Sequence, residues 1–452
     1  MDTAVHSPID VGRLIDDHPW TIFQTVVLCL VSLAFVVDSL ANNVLSILIP
    51  AIIGDWHVKR ADFSPIVAAG WVGVAFGTIV AGTLADRYGR KVMLLCSVLL
   101  FGLATAAGAL ITDMHQLLVL RTIDGFGIGG AIPTAATLLA DFTPSRRRSR
   151  AVIFGMICMP VGTFLGGIIG SAVLPHLGWR SLFGINGALA ILVSLLVWLF
   201  VPESPRFLAR KPERRAALLR GLRQLRIAFP ADAQWVDTGT GAARNAGSLS
   251  SLFGRETLAL TLGLWGAFFF CLLASYTSLG WMPTLLSSHG YSLGTSSLAL
   301  SASGLGGIIA SLVTARLIEI YGSRIALLLP VCLVILSTGV LMMMPLDPTH
   351  SVIPVLLAIA TLGLSLNSLT GLVYAFGAFV YPPLIRGTGL GAAGLMGRIG
   401  AITSSYSSVA VLAVGSRAYF GFIAATALIA TLFLVLLRRQ IPNDAAFDAA
   451  RR

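Results

Sequence analysis

Apolar runs long enough to cross a bilayer recur from one end of this chain to the other, and no other feature restricts its fold as much. A bilayer hydrocarbon core is about 30 Å thick, so a spanning helix needs roughly 20 apolar residues. Such runs are predicted at 21–50, 64–85, 91–111, 116–140, 150–174, 180–201, 257–280, 294–318, 325–345, 351–377, 387–412 and 417–437. Only 11% of the 452 residues are charged and 56% are hydrophobic, whereas about a quarter of an ordinary soluble domain is charged. The expectation is an all-α membrane protein with twelve crossings. Many of the 47 glycines sit inside these runs, as in Gly125, Gly127, Gly129, Gly130 and Gly162, Gly166, Gly167, Gly170. Small residues let helices approach closely where lipid gives no hydrophobic drive for association, so these glycines predict helix packing.

The net charge of +11 is distributed by topology. Arg87, Arg90 and Lys91 follow the second run, Arg146, Arg147, Arg148 and Arg150 the fourth, and Arg206, Arg210, Lys211, Arg214, Arg215, Arg220, Arg223 and Arg226 the sixth. Arg316, Arg324, Arg386, Arg438 and Arg439 continue the alternation. The other loops hold few basic residues, and this asymmetry predicts both termini in the cytoplasm. It leaves no reason to invoke nucleic acid. The first twenty residues are polar and lack the pattern of a cleaved leader, so the first run is expected to stay as a helix. The five cysteines lie inside runs, with no metal or disulfide spacing.

Residues 202–256 are one long polar interruption whose basic stretch suits short amphipathic helices at the membrane surface. The resulting division is a segment 1–20, a six-helix half 21–201, a central loop 202–256, a second half 257–437 and a tail 438–452. A repeat links the halves. Gly82-Thr-Leu-Ala-Asp86-Arg87-Tyr88-Gly89-Arg90-Lys91 has its counterpart in Ala315-Arg316-Leu-Ile-Glu319-Ile-Tyr321-Gly322-Ser323-Arg324, with the small residue, acid, Tyr, Gly and base at the same offsets. Six-helix repeats are a transporter design, with the substrate site at the midplane between them.

At GTLADRYGRK the chain resembles the major facilitator superfamily, and PESPRFL at 202–208 and Arg121…Gly125 are similar to its patterns too. The resemblance implies a cytoplasmic latch in which Asp86 accepts from a helix N-terminus and Arg90 pairs with acids across the half-interface. Arg87, Gly89 and Glu319 belong to the same loops, and Asp141 and Arg386, near cytoplasmic helix ends, fit latch or gate duty. A narrower resemblance is to the bacterial aromatic acid:proton symporters, importers of 4-hydroxybenzoate, protocatechuate and relatives. It rests on Asp38 with Pro50, Pro133 with Thr137 and Asp141, Trp281-Met-Pro283-Thr284-Leu285, Tyr381-Pro382…Arg386-Gly-Thr-Gly389 and Gly397-Arg398-Ile-Gly400. That group carries D-G-x-D in its first span, whereas this chain reads Asp38-Ser39-Leu40-Ala41. With the second acid missing, the proton stoichiometry stays open.

Charge at membrane depth costs about 2.5 kcal/mol or more, so each instance demands a reason. Asp38, well inside the first run, suits a proton carrier; the plain alternative is a packing acid bonded to Asn42 or Asn43. Arg398 offers a planar fork matched to a carboxylate, and an internal pair with Asp38 or Asp124 competes with that role. Arg121 and Asp124 stand three apart on one helical face, which serves self-neutralisation and coupling equally. Phe35, Trp71, Trp265, Phe269, Tyr276, Trp281 and Tyr374 include rings that could stack on a substrate, although membrane-interface placement is the commoner fate. Trp281 and Tyr374 join Arg398, Asn43 and Asn367 as the substrate-contact candidates.

The expected activity is proton-driven import of a small aromatic carboxylate by alternating access. Arg398 would receive the substrate, Asp38 with Asp124 and Arg121 would carry the coupling, and the proton gradient would be the energy source, with no cofactor. The expected setting is a monomer in a bacterial inner membrane. An exporter of drugs or metabolites from the same superfamily is the main rival, although Gly155-Met-Ile-Cys-Met159-Pro160-Val-Gly162 fits the exporter pattern only in part. An enzyme is disfavoured because neither H-E-x-x-H nor G-x-S-x-G occurs, and the short tails disfavour a sensor.

Overall fold

Residues 9–227, 235–237, 249–254, 257–382, 385–437 and 440–441 are described by the structure, a computed structural model. The first half is built from α2 (Ile22–Trp56), α3 (Phe63–Tyr88), α4 (Arg90–Ala107), α5 (Met114–Phe142) and α6 (Ser145–Phe200). The second comprises α9 (Leu258–Ser288), α10 (Leu293–Ala326), α11 (Leu328–Met343), α12 (Ile353–Val380), α13 (Arg386–Val414) and α14 (Ser416–Leu436). A straight helix of the 56 residues in α6 would be about 84 Å long, more than two bilayer cores. Gly178, at φ +73°, breaks it, so α6 holds two crossings and, among the described residues, each half holds six. The predicted runs at 150–174 and 180–201 lie on either side of that break.

Local sequence sets the ends. Thr21 and Gln24 close a capping box at the start of α2, Asp113 Oδ1 accepts the Gln116 amide at 2.9 Å before α5, and Ser292 Oγ accepts the Thr295 amide at 3.1 Å before α10. Each satisfies amides that a helix N-terminus leaves unpaired. The internal repeat is visible in the backbone. Gly89 (φ +118°) and Gly322 (φ +75°) turn the chain at equivalent points of the two halves, in a region that favours glycine.

The small residues meet backbone, as their spacing predicts. A methyl group on Gly125 would collide with the Gly70 carbonyl, and one on Gly129 with the Val74 carbonyl, so α5 lies directly on α3. Gly162 faces the Val36 carbonyl of α2. Across the halves, Gly167 and Gly170 of α6 face Ser301 and Ser297 of α10, and Ser301 Oγ donates to the Phe164 carbonyl at 2.8 Å.

On the basic face, α1 (Val11–Asp17), α7 (Pro205–Ala209) and α8 (Arg215–Gln224) form a cap on the first half. Ile9–Asp10 pairs in parallel with Trp235–Val236 beside it. Val11, Ile15, Leu218, Leu222 and Leu225 are buried there. Asp16 fixes the cap by accepting the Ser145 amide at 2.8 Å and pairing with Arg206 at 3.6 Å. The amphipathic helices predicted for the central loop are thus α7 and α8.

Candidate functional site

Midway along α2, Asp38 is 1% exposed, and its Oδ1 has no hydrogen-bond partner among the described residues. Burying such an oxygen without a partner is costly. The charges that act on it are Arg398 of α13, in the opposite half, and Asp124 of α5. Among the described residues neither Asn42 nor Asn43 bonds to that oxygen. The Asn43 amide instead donates to the Ser39 carbonyl at 2.9 Å and to Thr163 Oγ1 at 3.2 Å, tying α2 to α6.

Arg398 does not close an ion pair with either acid among the described residues. Its guanidinium carbon lies 5.7 Å from the centre of the Trp71 ring on α3 and near the Tyr276 hydroxyl of α9. The Trp71 and Tyr276 rings are 4.0 Å apart at their centres, tilted by 49°. Sequence gave these two aromatics no precedence over five others, because nothing in the spacing of Trp71, Tyr276 and Arg398 brings three distant helices together.

The Arg121 guanidinium bonds the Asp124 carboxylate and donates to the Ala41 carbonyl at 3.3 Å, while Thr105 Oγ1 of α4 donates to Asp124 Oδ1 at 3.1 Å. The i, i+3 pair anticipated on this face is therefore formed, buried, and linked to α2 at the residue where the resemblance led to a second acid. Thr105 carried no signal in sequence.

Of these groups Trp71, Tyr276 and Arg121 line a narrow cleft with about 30 Å³ of free space, together with Asn43, Ser46 and Gly280 among others. The lining residues of α2 follow Asp38 in the chain, so the cleft lies beyond Asp38 from the basic face. None of the remaining substrate-contact candidates lines the cleft, although Tyr374 lies near enough to Tyr276 to act on its hydroxyl. Trp281 is wholly buried in the core of the second half, its indole nitrogen without a partner among the described residues. Asn367 donates to the Gly363 carbonyl at 2.8 Å within α12. Tyr374 is 42% exposed and meets Phe268 edge-on at 4.9 Å.

At the basic face, Arg90 is buried and pairs with Asp141 at 3.2 Å and with Asp86 at 3.7 Å. This corrects the expected latch: all three residues belong to the first half, so Arg90 binds α3, α4 and α5 together and does not reach across. Nor does Asp86 cap a helix among the described residues. Glu203, just before α7, accepts the Lys91 amide at 2.9 Å and fills the space a side chain on Gly89 would need, placing a carboxylate at the positive end of α4. Ser204 Oγ donates to Asp141 Oδ2 at 2.6 Å. The PESPRFL motif was the one sequence signal for Glu203 and Ser204. Arg87 is exposed with its guanidinium over the Tyr88 ring, Glu319 pairs with Arg316 at 3.1 Å on the surface, and Arg386 opens α13, exposed.

Two six-helix halves that meet around buried charges and a cleft define a multi-pass membrane transporter. The model of the Major Facilitator Superfamily matches residues 31–405 and 264–452. The chain is 31% identical to the gallate transporter of Pseudomonas putida over 92% of this chain and 91% of that one. It is 29% identical to the 4-hydroxybenzoate transporter of Pseudomonas aeruginosa over 90% of each. Its fold is similar to that of the xylose transporter XylE of E. coli, with a TM-score of 0.72 at 16% identity, over 93% of this chain and 99% of that one. The chain belongs to the Major Facilitator Superfamily; it is a transporter, not an enzyme, and is related to transporters of aromatic acids.

Proposed function

We propose that this transporter imports a small hydroxybenzoate-like carboxylate together with protons, alternating the access of the cleft between the two membrane faces. The observation that carries the reading is Asp38, buried with an unpartnered oxygen and facing Arg398 across the half-interface. A substrate carboxylate docks on the Arg398 fork, for which no internal carboxylate competes at ion-pair distance among the described residues. Protonation removes the charge of Asp38, whose desolvation is costly, and lets the halves close around a site carrying less net charge. Arg121 holds Asp124 as the second acid of this path, and Asn43 borders the cleft wall.

The relatives named for gallate and 4-hydroxybenzoate support the substrate class. The Arg90–Asp141–Ser204 cluster, with Asp86 and Gly89, keeps the basic ends of the first half rigid while the halves move, and the exposed Arg87 of the first half and Arg386 of the second serve the gate at that face. By the distribution of basic residues, both termini face the cytoplasm of a bacterial inner membrane. The protein acts as a monomer, with the proton gradient as energy source and no bound cofactor.

Uptake of radiolabelled 4-hydroxybenzoate and benzoate into vesicles, with and without an inward proton gradient, tests the proposal. Gradient-dependent accumulation is expected. Gradient-driven extrusion of a dye, with no accumulation of either acid, would replace import by export.

A further inference from the structure

Three groups from three helices meet at Trp71, and only one comes from the first half. Trp71 is 8% exposed and borders the cleft together with Tyr276. Its backbone is set by its neighbour Gly70, against which α5 lies so closely that Gly125 has no room for a side chain. The indole therefore moves with the first half as a rigid body. What holds its faces belongs to the second half: the Tyr276 ring at 4.0 Å and the Arg398 guanidinium at 5.7 Å. A cation over an indole and a ring against a ring are both attractive arrangements, so the halves are tied here by π contacts.

We infer that Trp71 and Tyr276 form an aromatic clasp that reads the ring of the substrate, opening when a planar ring takes the place of one partner while the carboxylate draws Arg398 off the indole. This deepens the proposed function and rests on it for the identity of the substrate. A flat ring replaces the stacking it disrupts; a puckered ring of the same charge disrupts the clasp and returns less. The clasp thus discriminates aromatic from alicyclic carboxylates, and it couples occupancy to release of the two halves. The charged and titratable groups around it are Asp38 on α2, Arg121 and Asp124 on α5, Arg398 on α13 and Tyr374 on α12. None of them is needed to tell one ring from another, because both kinds of ring bear the same carboxylate.

The test compares inhibition of labelled 4-hydroxybenzoate uptake by benzoate and by cyclohexanecarboxylate. Wild type should prefer benzoate by about tenfold, the order one stacking contact gives. Trp71→Leu and Tyr276→Leu should bring the ratio near one, whereas Trp71→Phe, which retains a ring, should keep most of it. An unchanged preference in Trp71→Leu overturns the clasp. If wild type accumulates no aromatic acid, the proposed function fails and the clasp is judged without substrate. Spin labels at Thr83→Cys and Gly391→Cys, two exposed positions on α3 and α13, then report the spacing of the halves, after Cys29, Cys96, Cys158 and Cys332 are replaced by serine. A shifted distance distribution in Trp71→Leu but not in Trp71→Phe supports the clasp, and identical distributions in both overturn it.

Discussion

The Arg90 guanidinium lies 3.2 Å from the Asp141 carboxylate, and both belong to the same six-helix half. Truncating one partner of a buried pair costs about 3–5 kcal/mol, because the other charge is left uncompensated. Arg90→Ala should therefore lower the melting temperature of the detergent-purified protein strongly. Arg316→Ala, which breaks the exposed pair with Glu319, should change it little, since surface pairs give about 0–1 kcal/mol. Thermal unfolding of both variants, measured side by side, decides whether this cluster fastens one half or is dispensable.

Buried charge at Arg121 and Asp124 has a structural and a coupling consequence that mutation separates. Arg121→Ala should destabilise the fold by about 3–5 kcal/mol, for the same reason as Arg90→Ala. The double variant Arg121→Met with Asp124→Leu removes both charges and should recover most of that stability. It should not recover gradient-driven uptake. A double variant that transports at the wild-type rate would show the pair to be structural only.

Asp38→Asn keeps the shape of the side chain and removes its proton exchange. Gradient-driven accumulation should fall by about tenfold or more, given that acids at membrane depth are retained for function. Exchange of labelled for unlabelled substrate across the membrane, which needs no net proton movement, should persist. Loss of both activities to the same degree would place Asp38 in substrate binding.

Glycine substitutions should divide sharply by position. Gly125→Ala drives a methyl group into the Gly70 carbonyl, whereas Gly391 has open space around it. Overpacking costs about 1–3 kcal/mol, so Gly125→Ala should reduce both folded yield and uptake, and Gly391→Ala should leave them unchanged. Comparable yields for the two would mean that α3 and α5 are free to separate.

Periodicity, charge distribution and the 82–91/315–324 repeat made the twelve crossings, the two halves and the family legible in sequence, because bilayer thickness and backbone satisfaction leave so few solutions. The Arg121–Asp124 pair was readable too, since i, i+3 neighbours share a face. Partners from different helices were not. The family resemblance implied Arg90 across the half-interface and Asp86 at a helix end, yet the fold turns Arg90 inward to Asp141 and gives the α4 terminus to Glu203. Trp71, Tyr276 and Arg398 are separated by more than a hundred residues each, and only the crossing of α3, α9 and α13 stacks them. Asp38 was identified from its cost in lipid; that one of its oxygens has no partner among the described residues, with Arg398 in view, was decided by how the halves meet. Local periodicity and burial are properties of a segment, whereas a contact between helices depends on crossing geometry that no single segment encodes.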